Sequence, residues 1–290
     1  MKLSSWCVLA LLCLTCFCHG GLSCPASCKC YTKRAEVVCN EVPLTEYPSE
    51  GLLKNTTLLT IQFTNITSIS EQHLNATPLL QGLHLYSNHL KSLSSHLLRG
   101  VPHLNTIDLT GNRLTDLPAD VFTDADWLHD DSNLTWLDLS GNQLTKIPIG
   151  LTQLRHLSLD DNQLSHIPTG LLDPLNSLDE EGLDLTVNPF LCDGKIEYLW
   201  RWLQKNKKKV FLPETITCAG PESLTGRSVM SLTESELKIE SQLKAAVILV
   251  TLQCIRVKLL NICLSLLLQR FCKLQTDPVH SIDTNVIPVA

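Results

Sequence analysis

Between residues 80 and 164 the chain repeats one arrangement of apolar and polar positions four times. Leu80, Leu83, Leu85, Asn88 and Leu90 define it. It returns as Leu104, Ile107, Leu109, Asn112 and Leu114, then as Leu134, Leu137, Leu139, Asn142 and Leu144, then as Leu154, Leu157, Leu159, Asn162 and Leu164. Within each unit the middle pair of apolar residues is separated by one polar residue, which is the period of a strand with one face buried. The first leucines of successive units are 24, 30 and 20 residues apart. The spacing therefore predicts a constant strand followed by an outer segment of variable length.

Written out, each unit is L-x-x-L-x-L-x-x-N-x-L, the pattern of a leucine-rich repeat. The expected fold is α/β: a repeat solenoid whose strands form a curved parallel sheet, with each unit contacting only its neighbours. The asparagines fall where the chain leaves the strand, and a side-chain amide there can satisfy backbone groups that the turn leaves open. Two weaker units flank the four. Leu58, Ile61 and Phe63 fit the apolar positions with Ile66 where asparagine is expected, and Leu183, Leu185 and Asn188 fit before Pro189-Phe190 breaks the pattern. Terminal repeats are atypical because they close an open core, so about six repeats are expected over residues 51–190.

Ahead of the repeats, Lys2 precedes an apolar run from residue 6 to 17, and small residues with Gly20-Gly21 follow. This reads as a secretory leader at 1–20, too short for a membrane span. Residues 21–50 then carry Cys24, Cys28, Cys30 and Cys39. In a secreted chain this cluster is a disulfide staple over the solenoid's apolar end, and its spacing alone allows three pairings. A metal site is the competing reading, but no histidine lies close by. Asn55, Asn65, Asn75 and Asn133 each open an N-x-S/T sequon and are glycosylation candidates.

Charge sharpens the picture. From residue 54 to 184 there are six Lys/Arg against sixteen Asp/Glu. Nucleic acid is thereby a poor partner, since phosphate contacts need the opposite sign. The side chains expected to point out of the sheet include Thr60, Gln62, Thr64, Thr106, Thr110, Ser140, Ser158, Asp184 and Thr186. Among them, His84, Tyr86, Asp108, Trp136, Asp138, His156 and Asp160 form the candidate ligand-binding face. An aromatic pair among carboxylates suits a protein ligand with basic residues. Catalysis is not expected. A nucleophile needs a base within hydrogen-bond reach and a group to orient it, whereas His84 and His156 lie several strands apart. No phosphate loop, dinucleotide fingerprint, H-E-x-x-H or G-x-S-x-G is present, so no cofactor or catalytic metal is expected. Residues 124–131 hold four aspartates but lack the spacing of a calcium loop and read as a solvated loop.

After Cys192, the residues Ile196, Leu199, Trp200 and Leu203 recur at helical spacing and predict an amphipathic helix closing the C-terminal end. Trp200 is expected in the core, and Cys218 is the natural partner of Cys192. Arg201, Lys205, Lys207, Lys208 and Lys209 make this cap, residues 191–236, basic. The segments Asn188-Pro-Phe-Leu-Cys192, Tyr198-Leu-Trp-Arg-Trp-Leu-Gln204 and Cys218-Ala-Gly-Pro-Glu222 resemble the C-terminal cap of the leucine-rich alpha-2-glycoprotein family. Phe63-Thr-Asn-Ile-Thr67 is similar to that family as well. The resemblance spans roughly residues 24–236, and this chain has fewer repeats than the family's mammalian members. It implies Cys24–Cys30 and Cys28–Cys39 pairing in the N-terminal cap. It also implies a secreted, glycosylated acute-phase plasma protein without enzymatic activity. Such a protein would modulate transforming growth factor beta signalling and angiogenesis, through a growth-factor receptor component or a basic ligand such as cytochrome c.

The resemblance stops before residues 237–290. Residues 245–268 are mostly apolar, but Gln253, Arg256, Lys258 and Asn261 interrupt them. Arg or Lys at the centre of a spanning helix costs about 2.5–3.5 kcal/mol each, enough to cancel most of the apolar gain. A membrane partner is expected only if this stretch spans, in which case the chain is a membrane-anchored receptor ectodomain. Cys254, Cys263 and Cys272 leave an odd set beyond the six of the caps.

Overall fold

The computed structural model describes residues 24–119, 121–122, 133–147 and 150–237, together with helical residues 249, 252–253, 255–262 and 264–266. The leader at 1–20, the acidic residues 124–131 and the last part of the tail lie outside the described residues, as do Cys254, Cys263 and Cys272.

Eight strands form one sheet. Lys29–Tyr31 and Glu36–Asn40 make an antiparallel hairpin. Glu36–Asn40 then pairs parallel with Leu58–Gln62, and the parallel ladder continues through Gly82–His84, Thr106–Asp108, Trp136–Asp138, His156–Ser158 and Leu183–Asp184. The apolar pair of each repeat, for example Leu83 with Leu85 or Leu137 with Leu139, is wholly buried. Behind these strands Ser68–Ile69 pairs with Ser92–Leu93 on the opposite side of the core. Each fully buried leucine contributes about 1.5–3 kcal/mol relative to leaving it in water.

The asparagines lock one repeat to the next. Asn142 Nδ2 donates to Leu139 and Ser140 of its own repeat and to the Leu109 carbonyl of the preceding one, and its Oδ1 accepts from the Leu114 amide. Asn112, Asn162 and Asn188 repeat this arrangement. All of these amides are buried. The residue before each is left-handed: Ser87, Gly111, Gly141, Asp161 and Val187 have φ of 53°, 65°, 62°, 50° and 53°.

That periodicity corrects the register of the first repeat. Phe63 is the left-handed residue there (φ 52°), so Thr64 occupies the asparagine position and its amide donates to Asn88 Oδ1. Leu59 and Ile61, not Ile61 and Phe63, are the buried pair, and Leu59 pairs with Leu83. Thr64 is consequently buried rather than outward, and Phe63 is half exposed. Ser140 and Ser158, also expected outward, are nearly covered.

Disulfides close both ends. Cys24 pairs with Cys30 and Cys28 with Cys39 beside the hairpin. Cys192 pairs with Cys218, and Phe190–Leu191 pairs with Cys218–Gly220. The cap helix Glu197–Asn206 buries Leu199, Trp202 and Leu203. Trp202, rather than Trp200, is thus the buried indole. Trp200 is half-buried, with Nε1 donating to the Leu232 carbonyl. Val210 then bridges to Leu183 and covers the last sheet edge, where unpaired strand groups would otherwise invite association.

The chain divides into Met1–Leu237 and Lys238–Ala290. In the second unit the described residues are helical, and Leu252, Ile255, Leu259 and Ile262 are among its exposed apolar side chains. Among the described residues no helix is long and apolar enough to cross a membrane.

Three stability outcomes are expected in denaturant or thermal unfolding. Asn142→Ala strands several buried backbone groups and should destabilise by about 2–4 kcal/mol. Cys218→Ser opens a loop with separation 26, for which the chain-entropy argument gives about 3–4 kcal/mol. Val187→Asn relieves a β-branched side chain from a left-handed backbone and should stabilise by about 0.5–1 kcal/mol. A neutral Asn142→Ala would show that the amide ladder is not what couples the repeats.

Candidate functional site

The parallel register arranges the outward side chains in rows that run across the strands. One row is Gly82, Thr106, Trp136 and His156. The next is Thr60, His84, Asp108, Asp138, Ser158 and Asp184. Neighbouring strands lie about 4.8 Å apart, so Asp108 and Asp138 are directly opposed carboxylates. Tyr86 and Asp160 follow the strands, towards the turn.

The rows place Trp136 against His156. Their rings stack with centroids 3.7 Å apart and planes 12° from parallel, while Trp136 stays 44% exposed. Burial lowers the His156 imidazole below its ordinary value, against the opposing pull of Asp138, Asp184 and Asp179. Burial likewise raises the Asp184 carboxyl, helped by the like charges of Asp160 and Asp138. At the other end of the face, Phe63 meets Tyr86 edge-on at 5.5 Å. Phe63 was hidden from sequence reading by the register of the first repeat. Carrying the left-handed position of Ser87 back by the register that pairs Leu59 with Leu83 leads to it.

Part of the acidity holds the turn rather than waiting for a ligand. Asp108, Asp138 and Asp184 each accept the backbone amide two residues on, from Thr110, Ser140 and Thr186. The Ser140 hydroxyl also donates to Asp138, and the Ser158 hydroxyl donates to Asp160 at 2.9 Å. These bonds use one oxygen of each carboxylate and leave its charge in place. The structure therefore brings Asp108, Asp138, Trp136 and His156 together mid-sheet with Asp160 beside them. His84 continues the carboxylate row towards the first repeat, and Tyr86 stands with Phe63. Among the described residues no His/Cys/Asp/Glu group could hold a metal ion.

The sequon asparagines Asn55, Asn65, Asn75 and Asn133 are all exposed. The Asn133 amide donates to the Pro102 carbonyl at 2.7 Å.

The fold and these rows define a leucine-rich repeat segment, and residues 54–114 and 102–164 match the leucine rich repeat family model. Residues 54–164 thus carry leucine-rich repeats. Leucine-rich repeat-containing protein 3 of Danio rerio is 30% identical over 118 residues, which is 40% of this chain and 43% of that protein. Phospholipase A2 inhibitor beta of Elaphe climacophora is 41% identical over 64 residues, covering 22% of this chain and 19% of the inhibitor. The chain therefore spans less than half the length of either relative. Human trophoblast glycoprotein, a solved structure, aligns over 74% of this chain and 99% of that one with 23% identity and a TM-score of 0.44.

Trp136 covers His156, so Trp136→Ala should raise the imidazole back towards its ordinary value, read from ring-proton shifts in an NMR titration. The sign of the linkage follows. A folded-state value below the unfolded one makes protonation oppose folding, with no effect well above 6.5 and a growing loss of stability as pH falls below it. An unshifted titration in Trp136→Ala would assign the burial to other neighbours.

Proposed function

We propose that this chain is an extracellular, non-enzymatic binding protein that captures a basic protein ligand on its outward sheet face. The observation that carries the reading is the opposed pair Asp108 and Asp138 beside exposed Trp136. Like charges facing each other across strands weaken a sheet. A cationic side chain seated between the carboxylates and the indole would relieve that repulsion and gain a cation–π contact. The three disulfides support an oxidising, extracellular compartment. The inhibitor among the relatives is named for acting on an enzyme, which supports a protein as the ligand class. The resemblance to the leucine-rich alpha-2-glycoprotein family extends the proposal to a secreted, glycosylated acute-phase protein acting on transforming growth factor beta signalling and angiogenesis. Cytochrome c and growth-factor receptor ectodomains are the ligands to test.

A second reading rests on the apolar side chains exposed along the described helical residues 249–266. In that reading the same repeats form the ectodomain of a membrane-anchored receptor. Expression of the full chain separates the two: intact protein in the medium supports secretion, and intact protein confined to the membrane fraction supports anchoring.

Aromatic anchors at the centre of an interface carry much of its energy, whereas charges set the association rate. Trp136→Ala should therefore weaken ligand binding by about 2 kcal/mol, mainly through faster dissociation. Asp138→Asn keeps the acceptor for Ser140 but removes the charge, so it should slow association and flatten its salt dependence. Surface-based kinetics with cytochrome c at two salt concentrations reads both. A ligand that binds with both rates unchanged in both variants would remove this face from the function.

A further inference from the structure

We propose that the groove beside the cap helix is a second binding site, for a sulfated glycan chain. Charge is segregated along this molecule. Against the acidic repeats, residues 193–209 carry six Lys/Arg and two Asp/Glu. Arg201, Lys205 and Lys209 recur every four residues, so they share one side of the helix and the turn that extends it.

That side is recessed. Arg201, Lys205 and Lys209 line a cleft of about 280 Å³ between the helix and the loop after the fifth repeat. A larger cleft of about 760 Å³ continues from it past Lys195 and Lys146, and Tyr198 and Arg201 line both. Tyr198 and Arg201 thus stand between two adjoining recesses along the helix, whose walls carry five cations. Glu197 and Asp173 are the carboxylates on the same walls. Glu197 is engaged with Arg201 at 2.7 Å. Asp173 accepts the Tyr198 hydroxyl at 3.0 Å.

Most of the cationic donors remain open to a ligand. Lys209 Nζ gives one hydrogen bond to the Asn176 carbonyl and keeps two donors. The Arg201 pairs with Glu197 and Glu234 are solvent-exposed. Exposed pairs of this kind hold weakly and can yield to a sulfate, which a guanidinium meets with two parallel donors. Tyr198 supplies a flat wall for a sugar ring. Its hydroxyl also accepts the Leu172 amide, and burial pushes the phenol up to about 12, so it adds no negative charge.

Adjoining recesses with cations on their walls fit a linear polyanion. A bilayer is flat and would touch only the rim of the recess. Sulfate esters stay ionised at every physiological pH, and they are carried on chains outside the cell, the compartment to which the disulfides point. This site is separate from the outward sheet face, and either can fail without the other.

The test uses the full chain and a heparin-derived octasaccharide, with its desulfated counterpart and phosphatidylserine vesicles as alternatives. Binding to the sulfated chain is expected, weaker by about tenfold or more when salt rises from about 50 to 200 mM, as ion-pair binding to a polyanion requires. The double substitution Lys205→Gln with Lys209→Gln should weaken it about five- to tenfold, as two exposed ion pairs are lost. Lys205→Arg with Lys209→Arg should retain it, and Asp108→Asn with Asp138→Asn should not weaken it. The proposal is overturned by no binding at about 50 mM salt, by equal binding of the desulfated chain, by indifference to the double Gln substitution, or by binding to vesicles alone.

Discussion

The structure depends on one side chain used repeatedly. An asparagine amide offers two donors and an acceptor in one plane, and here it spends them across a repeat boundary. Asn112, Asn142, Asn162 and Asn188 each donate to their own turn and to the preceding strand, and accept from the amide that leads away from the preceding turn. No repeat can complete its own backbone hydrogen bonding, so stability belongs to the stack. The same logic requires the caps. The series begins with a threonine, Thr64, beside the N-terminal cysteine hairpin, and ends with Asn188, four residues before Cys192.

Because the interior and the turns hold the stack, the outward face is free to carry residues that a sheet would not choose for its own stability. Opposed carboxylates and a half-exposed indole are such residues. Each carboxylate keeps a structural bond to the turn beyond it, which fixes the side chain while leaving its charge. The Trp136–His156 stack adds rigidity of another kind, since a ring held by its neighbour loses little freedom when a partner arrives. The basic cap lies at one end of this acidic run, on residues with a different structural duty.

Much of this was legible in the sequence because the pattern and its cause coincide. Leucines spaced for a strand are buried by the strand, and the asparagines recur because the turn needs them. The pairings Cys24–Cys30 and Cys28–Cys39 came from resemblance and not from spacing. The first repeat was misread by two residues for a physical reason. A strand has period two, so a shift of two leaves Thr60 and Gln62 on their correct face and costs the pattern nothing. Only the turn distinguishes the registers, through left-handed Phe63 and buried Thr64. Helical periodicity has a similar weakness. Trp200 and Trp202 both lie near the edge of the apolar stripe, so the helical period alone does not separate buried Trp202 from half-buried Trp200. The repeat pattern puts Trp136 and His156 in one row, but the way their rings turn onto each other is not a property of the pattern.

Those uneven lengths have a consequence of their own. Strands separated by 24, 30 and 20 residues still align rung for rung. The difference falls in the segments between the strands, where lengthening a connection adds only slowly to its entropy. An insertion there leaves every outward side chain where it was. A single residue inserted inside a strand would instead turn the rest of that strand over, sending leucines outward and aspartates into the core. Descendants of this chain can therefore vary freely in length along the outer arc, while inheriting the inner face as rows of substitutions only.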